Sequence, residues 1–75
     1  NPTNGFTTLS YESSIVEDVQ IAVYDMAGKQ VFYEQVMKGN RELIFPIDLT
    51  FYEKGMYLVE LKSDFNIIST RVALQ

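Results

Sequence analysis

An antiparallel β-sandwich is the fold this sequence predicts, and three observations predict it. Turn signals punctuate the chain about every 8–12 residues, the spacing of short strands in sandwiches and barrels. Apolar residues alternate with period two in Val19-Ile21-Val23 and again along Ile68-Thr70-Val72-Leu74, whereas no window carries the stripe of an amphipathic helix. The third observation is Glu53-Lys54-Gly55-Met56-Tyr57. A glycine free to adopt positive φ stands two residues before a tyrosine that opens a strand. Such a tyrosine buries its ring and keeps its hydroxyl for a backbone group near the turn, which is the tyrosine corner of immunoglobulin-type sandwiches. The cysteine that follows that corner is here Val59. The expected fold is therefore all-β, an immunoglobulin-like antiparallel β-sandwich of six to seven strands without a disulfide.

Taken in order, residues 1–5 (Asn-Pro-Thr-Asn-Gly) read as linker, and residues 6–75 as one sandwich domain. Phe6 to Glu12 is rich in β-branched and aromatic residues and forms the first strand. Ser13-Ser14 breaks it, and Ile15-Val16 is read as a short strand of its own before a Glu17-Asp18 loop. Val19 to Asp25 is the next strand, closed by the turn Asp25-Met26-Ala27-Gly28-Lys29 with Gly28 in the left-handed position. Gln30 to Lys38 follows and ends at the turn dipeptide Gly39-Asn40. Arg41 to Leu49 is strand-like, but Pro46 cannot donate to a ladder and assigns it to an edge or a bulge. After the corner at Thr50 to Gly55, Met56 to Ser63 and Ile67 to Leu74 pair around Asp64-Phe65-Asn66 as a terminal hairpin.

Composition narrows the function. With a net charge of −4, a pI near 4.5 and only six basic residues, scattered singly, the chain has no footprint for nucleic acid. No apolar run approaches a membrane span. Histidine and cysteine are both absent, which removes the commonest general base, the thiolate nucleophile and the usual zinc ligands. No cofactor and no metal are expected, and no catalytic residue is assigned. Glu17-Asp18 is read as a solvated loop pair, without the cleft that two catalytic carboxylates need. Asp25, Asp48 and Asp64 lie at strand ends, where such residues bond their own backbone more readily than they gather calcium. Of the adjacent aromatics, Phe51 is expected to pack inward and Tyr52 to cover the sandwich edge.

The order of motifs resembles the C-terminal sorting domain of the type IX secretion system, the Por secretion system family of Bacteroidetes-type bacteria. Asn1, Pro2 and Gly5 match its opening segment. Ile21, Val23, Tyr24, Asp25, Gly28 and Val31 match a strand-turn motif. Gly55, Tyr57, Leu58, Val59 and Leu61 match a second, and Arg71, Val72 and Leu74 match the closing one, where the family often has lysine instead of arginine. The resemblance implies a non-catalytic address label at the C-terminus of a larger secreted cargo. It implies passage through the periplasm, recognition by the outer-membrane translocon, removal by a sortase-like surface peptidase, and a destination at the cell surface or outside it. Arg71, Val72, Ala73, Leu74 and Gln75 are the expected recognition residues, on a last strand taken to lie at a sheet edge. Gly5, Gly28, Gly55, Tyr57 and Val59 are the expected structural motif. The alternative from another class is an extracellular adhesion or carbohydrate-binding module that uses Tyr52, Tyr24 or Phe65.

Overall fold

The computed structural model describes residues 2–39 and 41–75. Its strands are β1 (Pro2–Thr3), β2 (Phe6–Tyr11), β3 (Glu17–Tyr24), β4 (Gln30–Lys38), β5 (Leu43–Asp48), β6 (Gly55–Lys62) and β7 (Ile67–Leu74), and no helix occurs among the described residues. They form a five-stranded sheet, β1-β7-β6-β3-β4, and a two-stranded sheet, β2-β5. From β2 to β7 the pairings are those of strands B, C, C′, E, F and G of an immunoglobulin sandwich. Every pairing is antiparallel except that of β1, which runs parallel to β7 with Pro2 opposite Ala73 and Thr3 opposite Leu74. A strand thus lies within residues 1–5. Asn1 and Asn40 fall outside the described residues, and with them part of the opening motif and of the Gly39-Asn40 turn.

The period-two pattern builds the core. Val19, Ile21 and Val23 on β3, Tyr57, Val59 and Leu61 on β6, and Val72 and Leu74 on β7 point to one side of the large sheet. There they meet Leu9 and Tyr11 of β2, Ile47 of β5 and Leu49 just beyond it. Phe32 and Phe45 touch across the two sheets with ring centroids 6.2 Å apart. Pro46 sits on β5, whose other side carries no strand among the described residues, so its missing N–H costs no ladder bond there. On β4 the pairing steps from Val23–Phe32 to Tyr24–Gln30, leaving Val31 as a bulge. The Tyr52 hydroxyl donates to the Val31 carbonyl at 3.0 Å.

Three expectations are corrected. Ile15-Val16 is not a strand. Phe51 does not pack inward: it is 92% exposed, and Tyr52 alone of the pair packs against the core. The turn that carries them positions only one of the two adjacent rings over the core. Nor is Glu17 part of a solvated loop. It opens β3 on the same face as Val19 and is buried. The hydroxyls of Tyr11 and Ser13 donate to its Oε2 at a long 3.4 Å each.

Opposite Glu17 in the register stands Lys38, which is 1% exposed. An ammonium has three N–H groups to satisfy, and here the carbonyls of Ser13, Ile15 and Gly39 accept at 2.9, 2.6 and 2.7 Å, with that of Arg41 at 3.4 Å. The charge also lies 5.8 Å from the centre of the Tyr11 ring. Lys38 therefore ties the β2–β3 connection and the β4–β5 connection to one point. Lys38→Met keeps the stem but orphans these carbonyls, and should cost about 3 kcal/mol in urea unfolding. The exposed Lys62→Met should cost less than about 0.5 kcal/mol. Equal losses would remove the clamp from the account of stability.

Candidate recognition surface

β7 is a strand with two different faces. Val72 and Leu74 point into the core, at 1% and 6% exposure, whereas Arg71 and Gln75 are exposed and Ala73 is half-buried on the outer side. The five residues expected to be recognised are thus contiguous in sequence but split in space. Arg71, Ala73 and Gln75 lie away from the core, while Val72 and Leu74 are held in it. The edge expected for this strand is only partly free, because β1 covers Ala73 and Leu74.

Cross-strand register adds neighbours that the linear sequence did not signal. Arg71 lies opposite Leu58 on β6, and Leu58 opposite Tyr24 on β3. These three residues, with Asp25, Met26 and Tyr57, line a hollow of about 340 Å³. Met56 sits opposite Ala73 in the next row, and Met26 and Met56 are both exposed. The surface around Arg71 is therefore a cation set in thioether, leucine and tyrosine, with the Asp25 carboxylate on the same hollow. Adjustable apolar side chains of this kind suit a protein partner. The signal was the register of β3, β6 and β7, which the outward positions of each strand carry only once their pairing is known.

The structural motif residues hold this face in place. The Tyr57 hydroxyl donates to the Glu53 carbonyl, so the tyrosine corner is formed, and its ring lies 6.0 Å from that of Tyr52. Burial, followed by the charges of Glu53 and Asp25, pushes the Tyr57 phenol above its ordinary value. Val59, where a disulfide sandwich would have cysteine, is 1% exposed and fills the core directly. Gly28 has φ +85° in the turn, where the Asp25 carboxylate accepts from the N–H groups of Ala27 and Lys29 at 3.0 and 2.9 Å. Gly5 is required twice over. Its φ is +138°, and a Cβ there would collide with Thr50 Cγ2. Its carbonyl accepts from the Leu49 N–H.

Asp25 and Asp48 are occupied with groups of their own turns. Asp48 Oδ1 accepts from the Thr50 hydroxyl at 2.6 Å and the Thr50 N–H at 2.9 Å. These two bonds hold its pKa below the ordinary 3.8. Among the described residues, no three Asp or Glu side chains converge as a metal site would require.

A family model described as "Secretion system C-terminal sorting domain" matches residues 1–75. No curated protein and no solved structure matches the chain.

Tyr57→Phe should leave the fold intact and cost about 1 kcal/mol in denaturant unfolding, the net worth of one hydrogen bond. Tyr57→Ala should cost about 3–5 kcal/mol by emptying part of the core. Thr50→Val should raise the Asp48 pKa toward 3.8, read by NMR titration of its carboxyl carbon. Because that pKa is depressed in the folded chain, the Asp48 contribution is present above 3.8 and is lost as the pH falls through the folded value. An Asp48 pKa unmoved by Thr50→Val would sink this assignment.

Proposed function

The chain belongs to the type IX secretion C-terminal sorting domain family, and from its role as the sorting signal of that system we propose that the outer face of Arg71 to Gln75 is the element the machinery reads. An upstream cargo and export to the cell surface or beyond come with the family. The finer steps belong to the proposal. The domain folds in the periplasm, is bound by the outer-membrane translocon, and is then cut from its cargo by a sortase-like surface peptidase. It takes part as a substrate and supplies no catalysis of its own.

The observation that carries this reading is the division of β7 into buried and displayed residues. Arg71 is exposed amid Tyr24, Leu58 and Met26, with Asp25 across the same hollow, which gives a receptor an exposed cation beside apolar side chains to grip. The reading as a glycan-binding module is not favoured. The ring of Tyr52 is spent against Tyr57 and its hydroxyl on Val31, and Tyr24 is half-buried in the sheet face. Phe65 is exposed, but an isolated exposed ring is ordinary.

The test is a periplasm-targeted fluorescent reporter fused to this domain, in a bacterium with a working type IX system and in the same strain lacking the translocon. Fluorescence outside the cell only when the translocon is present is the expected result, with a size shift reporting cleavage. Deleting residues 71–75 confounds signal with stability, because Val72 and Leu74 go with them. Arg71→Glu leaves the core untouched and should lower export by about tenfold or more, the effect of about 1.4 kcal/mol in a reversed contact. Unchanged export of a folded Arg71→Glu domain would move recognition elsewhere.

A further inference from the structure

Open sheet edges invite added strands, and β7 presents one that is only partly used. β1 takes its last two residues. Over the preceding residues β7 has β6 on one side and, among the described residues, no strand on the other. From Phe65 to Thr70 the chain carries neither charge nor proline, the two devices that most often blunt an edge. Phe65, Ile67 and Ile68 are 73%, 64% and 42% exposed. An uncharged, β-prone segment of this length, left open, pairs with other chains.

We propose that the chain immediately upstream of Asn1 covers this edge, prolonging β1 backwards along β7 as one parallel strand. The inference rests on the sorting-domain reading, because that family supplies an upstream cargo and hence a connecting chain. Direction and register follow from β1. Parallel strands advance together, so residues before Pro2 run beside residues before Ala73. The same step sets the first residue upstream of Asn1 opposite Arg71 and the third opposite Ser69. Two residues of parallel pairing are a weak hold, and a longer strand adds main-chain bonds at each step. Those bonds depend little on side chains, so one edge accommodates connecting segments of different sequence. While zipped, the junction between cargo and domain is an extended, bonded strand, and a peptidase reaches it only when it peels away.

The test uses the purified cargo–domain protein. Ser69 is exposed, and the domain has no cysteine of its own. Ser69→Cys is combined with a cysteine at the third residue upstream of Asn1, within disulfide reach if the strands pair. The control replaces Ser69→Cys with Gln35→Cys on β4, at the far edge. The expected result is an intramolecular disulfide forming about tenfold faster than in the control, or more. Equal rates would overturn the proposal, and so would a disulfide formed only between molecules, which would give the edge to a second copy. Amide exchange at residues 67–71 provides a separate reading. It should quicken by about tenfold when the three upstream residues are all changed to proline, which cannot donate to a ladder. Exchange unaffected by those prolines would also overturn it. Neither measurement involves transport, so failure here leaves the export result standing, and failure of export leaves this one.

Discussion

A two-stranded sheet has to close the core of a five-stranded one, and the rest of the structure follows from that mismatch. β2 and β5 cover the middle of the large sheet, so Val19, Ile21, Val23, Val59, Leu61 and Val72 reach 0–1% exposure. They do not cover its flank. Phe32 and Val36 on β4 are only partly buried, and Glu34, paired with Ile21 on the inward side, remains exposed. With no cysteine to staple it, the sandwich is closed at its ends by side chains that reach main-chain carbonyls. At one end Tyr57 bonds to Glu53 and Tyr52 to Val31. At the other, Lys38 gathers Ser13, Ile15 and Gly39. Each clamp satisfies a carbonyl in a turn or bulge that the sheet ladder leaves out, so the same bonds that fix the ends also answer the backbone accounting.

The last strand carries two burdens at once. Its inward residues complete the core wall beside β6, and its outward residues continue the apolar rows that run from Tyr24 through Leu58 and from Met56 to Ala73. A side chain on one face cannot be altered without regard to the other. Loss of Leu74 or Val72 removes core packing, whereas Arg71, Ser69 and Gln75 can change without opening a cavity. Charge follows the same division. The molecule is acidic overall, yet the cation at Arg71 stands where tyrosine and methionine rather than carboxylates surround it in the hollow, apart from Asp25. Asp25 is held by the N–H groups of its own turn.

What the sequence made legible was whatever depends on local period or local turn chemistry. The alternation of Val19-Ile21-Val23 and of Val72 with Leu74 pointed to buried residues, and Gly28 and Gly55-x-Tyr57 named the turn and the corner. The burial of Glu17 and Lys38 was not legible, because charged side chains are rarely buried unless partnered, and the partners are carbonyls of irregular segments that no motif reveals. Phe51 and Tyr52 could not be sorted by alternation, since the chain turns there instead of running extended. β1 escaped notice because a two-residue parallel strand has no pattern of its own. Its existence depends on β7, at the opposite end of the sequence. The surface around Arg71 is of the same kind. Three strands contribute to it, and only their register brings the residues together.

If β7 is the element read, as proposed, a strand built this way makes the address conditional on folding. Outward residues such as Arg71, Ala73 and Gln75 stand about 7 Å apart only while the backbone is extended, and what keeps it extended is the burial of Val72 and Leu74 between them together with the pairing to β6. The same five residues in an unfolded chain would present neither that spacing nor the neighbouring Leu58 and Tyr24. A receptor that reads the outer face therefore reads the whole sandwich through it. With no cysteine in the chain, no disulfide holds the strand in isolation, which ties the signal still more closely to the core. Partial unfolding would erase recognition at the same moment that it exposed the core residues Val72 and Leu74. On the proposed reading, the constraint that stabilises the domain also decides when it can be recognised.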